Sequence, residues 1–574
     1  MWDIDFAEIF GEKGGFDIVI GNPPYVRQEK IAPPNRTADE VTLKDRRDYK
    51  EKLQKSLLTI YPFWRKISGR SDYYIYFYFH GLNLLNPRGT FCFITSNSWL
   101  DVDYGKDLQE FLLKYVPMHA IYDNHAKRSF KHADVNTVIV LFGAPVVRDS
   151  ISAAGRNWPA LHHTVKFVAF KKAFQEVVTT SNLLAIDKAT ELVKKEEFRV
   201  FPITQEELLE EGWEYPEKQT DSALLIKGAK KKKFGEGKYV GNKWGGKYLR
   251  APEIFFTILE KGKGKLVRLG DIAEVRFGIK TGANDFFYVE DVTDKNPDLG
   301  RVQNLRDLKS IEEIKQRGLR VIKPSKFKKN DRDYKLFLVE AEYLKPVVKS
   351  PREIKSIVVK EEDLKFKVIM CHESKRELRK KNAFILEYIK WGETKSEWKE
   401  PSGRYNPPNL RPTCRSRKYW WAITLQLLPD FIWFKAFNDR FIIPFLKRKH
   451  LISDRFYAIT TYELKNDNWI INSINSVVQN LFCEINGRVN LAEGALDNMK
   501  FEVNNILILK ISKIRPIFQR ELRSIFEEYG LNINKPIRDQ EPKPLPDRKR
   551  LDDIVFDELG LTKEERKEVY WAVA

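Results

Sequence analysis

Asn22, Pro23, Pro24 and Tyr25 stand together after the apolar run Ile18-Val19-Ile20 and Gly21. A run of β-branched residues reads as a strand buried on both faces, as in parallel sheets under helices. Gly21 permits a turn and close backbone approach. The two prolines fix φ and offer no N–H, so the ladder cannot continue, and Pro23 keeps Asn22 out of the α region. The product is a stiff turn at the carboxyl end of a strand, where ligands bind in open α/β sheets. It presents a side-chain amide, a carbonyl and an aromatic face. Those groups suit the holding of a planar amino group. The Asn22 side-chain oxygen and the Pro23 carbonyl accept its hydrogens and draw the nitrogen toward tetrahedral geometry, while Tyr25 stacks on the ring that bears it, as with flipped bases. No general base of unusual pKa is required. The same residues also fit a plain Pro-rich turn.

The elements around this turn read as α/β. Residues 16–21 form a strand, and residues 29–70 form a charged insertion over the site entrance. Residues 72–86 form a helix, whose segment Tyr73–Phe79 is too short and too closely bounded by charge to span a membrane. Gly89–Ser96 is a second buried strand, Gly105–Val116 a helix, and His119–Asn124 and Asn136–Phe142 further strands.

Composition narrows the function classes. The net charge of +20 over 574 residues favours a polyanion partner, and 13% aromatic content supplies faces for stacking on bases. Cys92, Cys371, Cys414 and Cys483 are far apart and form no CxxC pair, so neither a zinc site nor a disulfide framework is expected. Their sparseness suits a reducing cytoplasm. No signal-peptide pattern or membrane-spanning stretch is present in the sequence.

Asn22–Tyr25 resembles motif IV of the S-adenosylmethionine-dependent amino methyltransferases, and Asn in first place leans toward adenine over cytosine. Ser71–Leu100 resembles motifs V and VI, and Arg128–Phe142 motif VIII, of the DNA adenine methyltransferases in type IIG restriction–modification enzymes. The resemblance implies the second half of a Rossmann-like methyltransferase sheet, ending in a two-stranded hairpin. It implies transfer of a methyl group from S-adenosylmethionine to the exocyclic amine of adenine. Asn22 and Pro23, with Pro24, would hold the amine. Tyr25 would stack on the flipped base, Phe130 would contact its other face, and Asp72 and Tyr73 would line the cofactor or base pocket.

The Gly-rich turn that this family uses for its cofactor does not precede Asp17, and Lys261–Gly270 lacks the preceding strand that such a turn needs. The reading is therefore a methyltransferase domain without its cofactor half. The outer edge of its first strand awaits a partner chain or an N-terminal region. Domains are expected at 1–165 (catalytic), 166–250 (helical, Lys/Gly-rich connector), 251–535 (mixed α+β target recognition) and 536–574. The last comprises a Pro-rich linker, Glu541–Arg550, and a helical tail.

Leu266–Val289 resembles the start of a target-recognition domain. Its Gly278–Gly282 loop offers close backbone approach, with Lys280, Thr281 and Asn284 as duplex-DNA contacts. Arg411, Arg415, Arg417 and Lys418 beside Trp420 and Trp421 suit phosphate contact, with the tryptophans as core. Two rivals stand beside this reading: a non-catalytic DNA-specificity subunit, and a protein or RNA amino methyltransferase.

Overall fold

The computed structural model describes residues 2–37, 40–124, 136–146, 158–215, 234, 237–328, 331–400, 404–424, 428–462, 468–489, 496–513 and 520–574. The chain forms two compact units, one within residues 1–218 and 230–256, the other chiefly within 257–574.

The first unit is built on a seven-stranded mixed sheet. Its strands are β1 (Phe16–Gly21), β2 (Leu85–Ser96), β3 (Met118–Asn124), β4 (Thr137–Gly143), β5 (Thr164–Phe170), β6 (Val193–Lys194) and β7 (Phe198–Thr204), in the order β1-β2-β4-β3-β5-β7-β6. β1 runs parallel to β2, with Ile20 opposite Cys92 and Gly21 opposite Phe93. β4 is antiparallel to both β2 and β3. The α/β sheet and the antiparallel pairing of the strands around residues 118–143 agree with the sequence reading.

Among the helices of this unit, α1 (Leu43–Ile60), α2 (Tyr73–Asn83) and α3 (Lys106–Tyr115) lie nearest the turn in sequence. Within the charged insertion at 29–70, α1 is nucleated by a capping box between Thr42 and Asp45. The aromatic run of α2 is core. Tyr74, Tyr76, Tyr78 and Phe79 are buried, and Tyr78 packs against Phe91, Phe93 and Trp99 at ring distances of 5.6, 5.9 and 5.6 Å. A tyrosine this deep needs a partner for its hydroxyl. Tyr78 pairs with the Thr95 hydroxyl at 2.8 Å, and Tyr76 accepts from the Gln54 amide at 3.0 Å.

Two expectations are corrected here. β1 is not buried on both faces. Alternate residues of a strand face opposite ways: Val19 packs on the core, near Gly81 of α2, while Ile18 and Ile20 are 67% and 77% exposed. β1 is also the edge strand, and its face carrying Ile18 and Ile20 is left exposed. Nor does the sheet stop at residue 165, where a helical connector was read. β5 pairs with β3 from Ala120 to Asn124, and β7 pairs with β5 along its whole length.

The second unit is mixed α+β. A three-stranded sheet joins β8 (Ala273–Phe277), β16 (Phe456–Thr461) and β14 (Phe431–Phe434) in that order. A six-stranded sheet runs β11 (Phe337–Glu340), β10 (Leu319–Pro324), β9 (Tyr288–Asp291), β13 (Phe366–Ile369), β12 (Leu344–Val348), β15 (Leu451–Ile452). The C-terminal segment is no loose linker and tail. α5 (Pro546–Leu559) starts inside the Pro-rich stretch, with Pro546 in its first turn, and α6 (Lys563–Val573) follows. Buried Arg548 donates to the Asn475 carbonyl at 2.6 Å and lies 3.3 Å from Glu528. Buried Asp552 accepts from the Val477 N–H that opens α4 (Val477–Asn486) and from the Tyr570 hydroxyl of α6. Charged groups buried this deeply persist because they are paired. Among the described residues no helix is long and apolar enough to cross a membrane.

Candidate functional site

The Asn22–Tyr25 turn leaves the carboxyl end of β1 beside the parallel end of β2. Gly21 is required by proximity: a Cβ there would lie 2.9 Å from the Phe93 ring. The Pro24 carbonyl accepts from the Val26 N–H at 3.0 Å and closes the turn. Tyr25 is half-buried, and its hydroxyl donates to the Ile94 carbonyl of β2 at 3.0 Å. Burial pushes its pKa up to about 12, so the phenol stays protonated and keeps its donor. Pro23 is buried, whereas Asn22 is exposed. Among the described residues, neither the Asn22 side-chain amide nor the Pro23 carbonyl has a hydrogen-bond partner.

The start of α2 grips the same turn from the other side. The Tyr73 N–H, one of the donors that a helix start leaves without an intrahelical partner, donates to the Val26 carbonyl at 2.9 Å. Asp72 sits at the N-cap yet caps no helical N–H. Its carboxylate accepts instead from the Gln28 N–H and the Tyr104 hydroxyl, each at 2.8 Å. The Tyr73 and Tyr49 hydroxyls pair at 3.0 Å, and burial, with Tyr49 contributing, pushes the Tyr73 pKa up to about 12. Lys50 of α1 donates to the Gln28 side chain at 2.8 Å. Thus Asp72 and Tyr73, expected to line the cofactor or base pocket, hold partners within the chain and brace the turn. Phe130 lies outside the described residues. Sequence reasoning missed Tyr104, Tyr49, Lys50 and the Ile94 carbonyl. The one usable signal was the Asp before the apolar run of α2, and it read as an ordinary cap.

In the second unit the Gly278–Gly282 loop does make close backbone approaches, to the chain itself. A Cβ at Gly278 would lie 2.0 Å from the Ser453 carbonyl oxygen, and one at Gly282, where φ is +74°, would lie 2.7 Å from Thr413. Thr281 is buried and hydrogen-bonded to exposed Asn284, while Lys280 is exposed. The cations at 411–418 divide. Arg411 makes a bidentate pair with Asp285 at 2.6 and 2.8 Å. Arg417 donates to the carbonyls of Lys280, Thr281 and Trp420 at 2.7, 2.8 and 3.2 Å. Arg417 therefore holds the Gly278–Gly282 loop and Arg411 the helical turn that follows it, because a planar five-donor fork matches clustered oxygens. Arg415 and Lys418 are exposed, and Trp421 is buried, as expected of a core residue.

The first unit is thus a mixed sheet whose edge strand ends in an amide–proline–proline–aromatic turn. Residues 1–130 match the Eco57I restriction-modification methylase family. The chain is 34% identical over 132 residues to the type II methyltransferase M.BstVI of Geobacillus stearothermophilus, a match covering 23% of this chain and 19% of that protein. It is 30% identical over 123 residues to the type II methyltransferase M.PaeR7I of Pseudomonas aeruginosa, covering 21% and 18%. These matches span less than a fifth of each relative. Among solved structures, the type IIG restriction endonuclease BpuSI aligns over 97% of this chain and 53% of its own at 12% identity, with a TM-score of 0.34. The type IIL enzyme MmeI, in complex with DNA, aligns over 97% and 56% at 13% identity, also with a TM-score of 0.34. Likeness of that degree carries no weight for function.

Proposed function

We propose that the first unit is the base-holding part of an adenine-specific DNA methyltransferase of a restriction–modification system, and that the second unit reads DNA. The observation that supports this best is the contrast within one turn. Tyr25, Val26 and Gln28 are tied to β2 and α2, while among the described residues the Asn22 side-chain oxygen and the Pro23 carbonyl are acceptors without partners. Two adjacent acceptors and a half-buried ring are what an adenine amine and its π face require. S-adenosylmethionine would supply the methyl group. Asp72 and Tyr73 act here by holding the turn.

The uncovered face and outer edge of β1 support a strand from a partner chain or another segment as the element that completes the sheet. Its check is co-purification that Ile20→Lys abolishes. For DNA, Lys280, Asn284, Arg415 and Lys418 are the exposed groups of the second unit that fit contacts to bases or phosphates. Arg417 serves by holding the Gly278–Gly282 loop and Arg411 the helical turn that follows it.

The test is Asn22→Ala in the assembled, active enzyme. Transfer of labelled methyl groups to duplex DNA should be lost while duplex affinity stays within about twofold, since affinity resides mostly in phosphate contacts. Near-normal methylation by the variant would reduce the turn to a structural feature.

A further inference from the structure

An open cleft of about 590 Å³ lies between α1, residues 66–69 and Gln28–Glu29 of the first unit. Arg46, Arg47, Lys50 and Lys66 line it, against Glu29 and Glu51. Among the described residues, Arg46, Lys50 and Lys66 have no carboxylate within 4.0 Å, and Arg47 reaches Asp48 only at 3.9 Å. Arg46 donates to the Glu29 carbonyl at 2.6 Å. Lys50 donates to the Gln28 side chain at 2.8 Å and to the Gly69 carbonyl at 3.3 Å. These acceptors are neutral, so they orient the cations without cancelling their charge. Burial also lowers the Lys50 pKa, the mark of an ammonium partly stripped of water.

The cleft is open to solvent and lined by four cations against two carboxylates, which suits a polyanion better than a small enclosed ligand. Its position relative to the turn is set by the chain. Gln28 is three residues from Tyr25, a reach of at most about 10 Å, or about three base-pair rises of ~3.4 Å. We infer that this cleft holds the phosphodiester backbone of duplex DNA within about three nucleotides of the base presented to Asn22. The inference rests on the DNA-methyltransferase reading and adds a contact surface to it within the first unit. It also couples binding to the site, because Arg46 and Lys50, which would meet phosphates, hold Glu29 and Gln28 on the strand side of the brace.

The test uses Arg47→Gln with Lys66→Gln. Both residues are exposed, and neither is a brace of the turn. Lys52→Gln with Lys55→Gln removes equal charge from exposed positions outside the cleft. Duplex affinity is measured by fluorescence anisotropy from about 50 to about 200 mM salt. Each lost phosphate contact lowers the log–log slope by about 0.9, so the cleft pair should lower it by about 1.8 and weaken binding about tenfold or more at the upper salt. The control pair should change affinity by less than about twofold. Equal effects of the two pairs, or no effect of the cleft pair on a wild-type chain that binds duplex steeply, would overturn the cleft assignment alone. A cleft pair that loses binding to a polyglutamate peptide but not to duplex would assign the cleft to an acidic protein and also overturn it. Failure of the wild-type chain to bind duplex at all would instead overturn the DNA reading beneath it.

Discussion

Asp72→Ala isolates the brace from the chemistry. The substitution removes the acceptor of the Gln28 N–H and of the Tyr104 hydroxyl, both at 2.8 Å. A hydrogen bond to a charged group contributes about 1.5–3 kcal/mol, and two would give about 3–6 if they added. Gln28 is only partly buried, so water takes up its freed donor and the lower figure governs: about 1.5–3 kcal/mol for the pair. That is a 10- to 150-fold rise in opening of the turn, at about 1.4 kcal/mol per tenfold. The Tyr73 N–H to Val26 carbonyl bond belongs to the same clamp, so both amides should lose protection together. Hydrogen exchange read by mass spectrometry on peptides spanning residues 26–28 and 73–74 measures it, with the β4 amides as an unchanged reference. Asp72→Asn keeps a neutral acceptor and should fall between the two. Unchanged protection at Gln28 would refute the brace. Acceleration that spread equally through β4 would show a loss of global stability instead.

Tyr25→Phe should weaken capture of a fluorescent adenine analogue about 2- to 12-fold, since it loses the bond to the Ile94 carbonyl, worth about 0.5–1.5 kcal/mol. Tyr25→Ala should lose a further 1–3 kcal/mol or so of stacking, and equal losses in the two variants would take the ring out of the mechanism. Arg411→Ala and Arg417→Ala should lower the thermal midpoint while leaving the salt slope of DNA binding unchanged, whereas Arg415→Ala with Lys418→Ala should do the reverse; calorimetry and anisotropy titrations separate the two. Burial raises the Asp552 pKa to about 6, so its proton is held more tightly in the folded state than in the unfolded one. Stability from this group is therefore present below about pH 4 and lost as pH rises through about 6, a fall of about 3 kcal/mol at 1.36 per unit. Asp552→Asn should flatten denaturation midpoints across that window, and an unaltered profile would mean the carboxyl titrates normally.

What the sequence made legible was contiguous. β1, β2, β4 and α2 announce themselves by apolar runs, and the Asn22–Tyr25 turn by two prolines, because those signals act within a few residues. Whether a strand is central or at an edge depends on its neighbours, so the exposure of Ile18 and Ile20 left no trace in the run itself. β7 was hidden for local reasons as well. It contains Pro202, which argues against a strand, and Arg199, which argues against burial. Yet Arg199 is 2% exposed, held by Glu253 at 2.5 Å, by the Leu249 carbonyl at 2.6 Å and over the Phe256 ring at 3.7 Å. The arginines of 411–417 were legible as cations, but their partners Asp285 and the Lys280 and Thr281 carbonyls are distant in sequence. A cation that shapes a loop therefore reads the same as one that meets a phosphate.

The same distinction explains why the brace matters to the proposed chemistry. An acceptor pair alters an amine in proportion to how little it must reorganise when the reaction begins. Two prolines remove φ freedom at the turn but leave its position over the sheet unset. That position comes from three elements at once: Tyr25 on β2, Gln28 and Val26 on the start of α2, and Lys50 of α1 on Gln28. These ties engage the neighbouring polar groups of the turn, and among the described residues the Asn22 amide and the Pro23 carbonyl are left without a partner. Asp72 is the costliest of these commitments. It stands where a carboxylate would cap α2, and it holds the turn instead. A helix start that forgoes its own cap to fix a neighbouring loop trades helix stability, about 1 kcal/mol for an average cap, for geometry at the site.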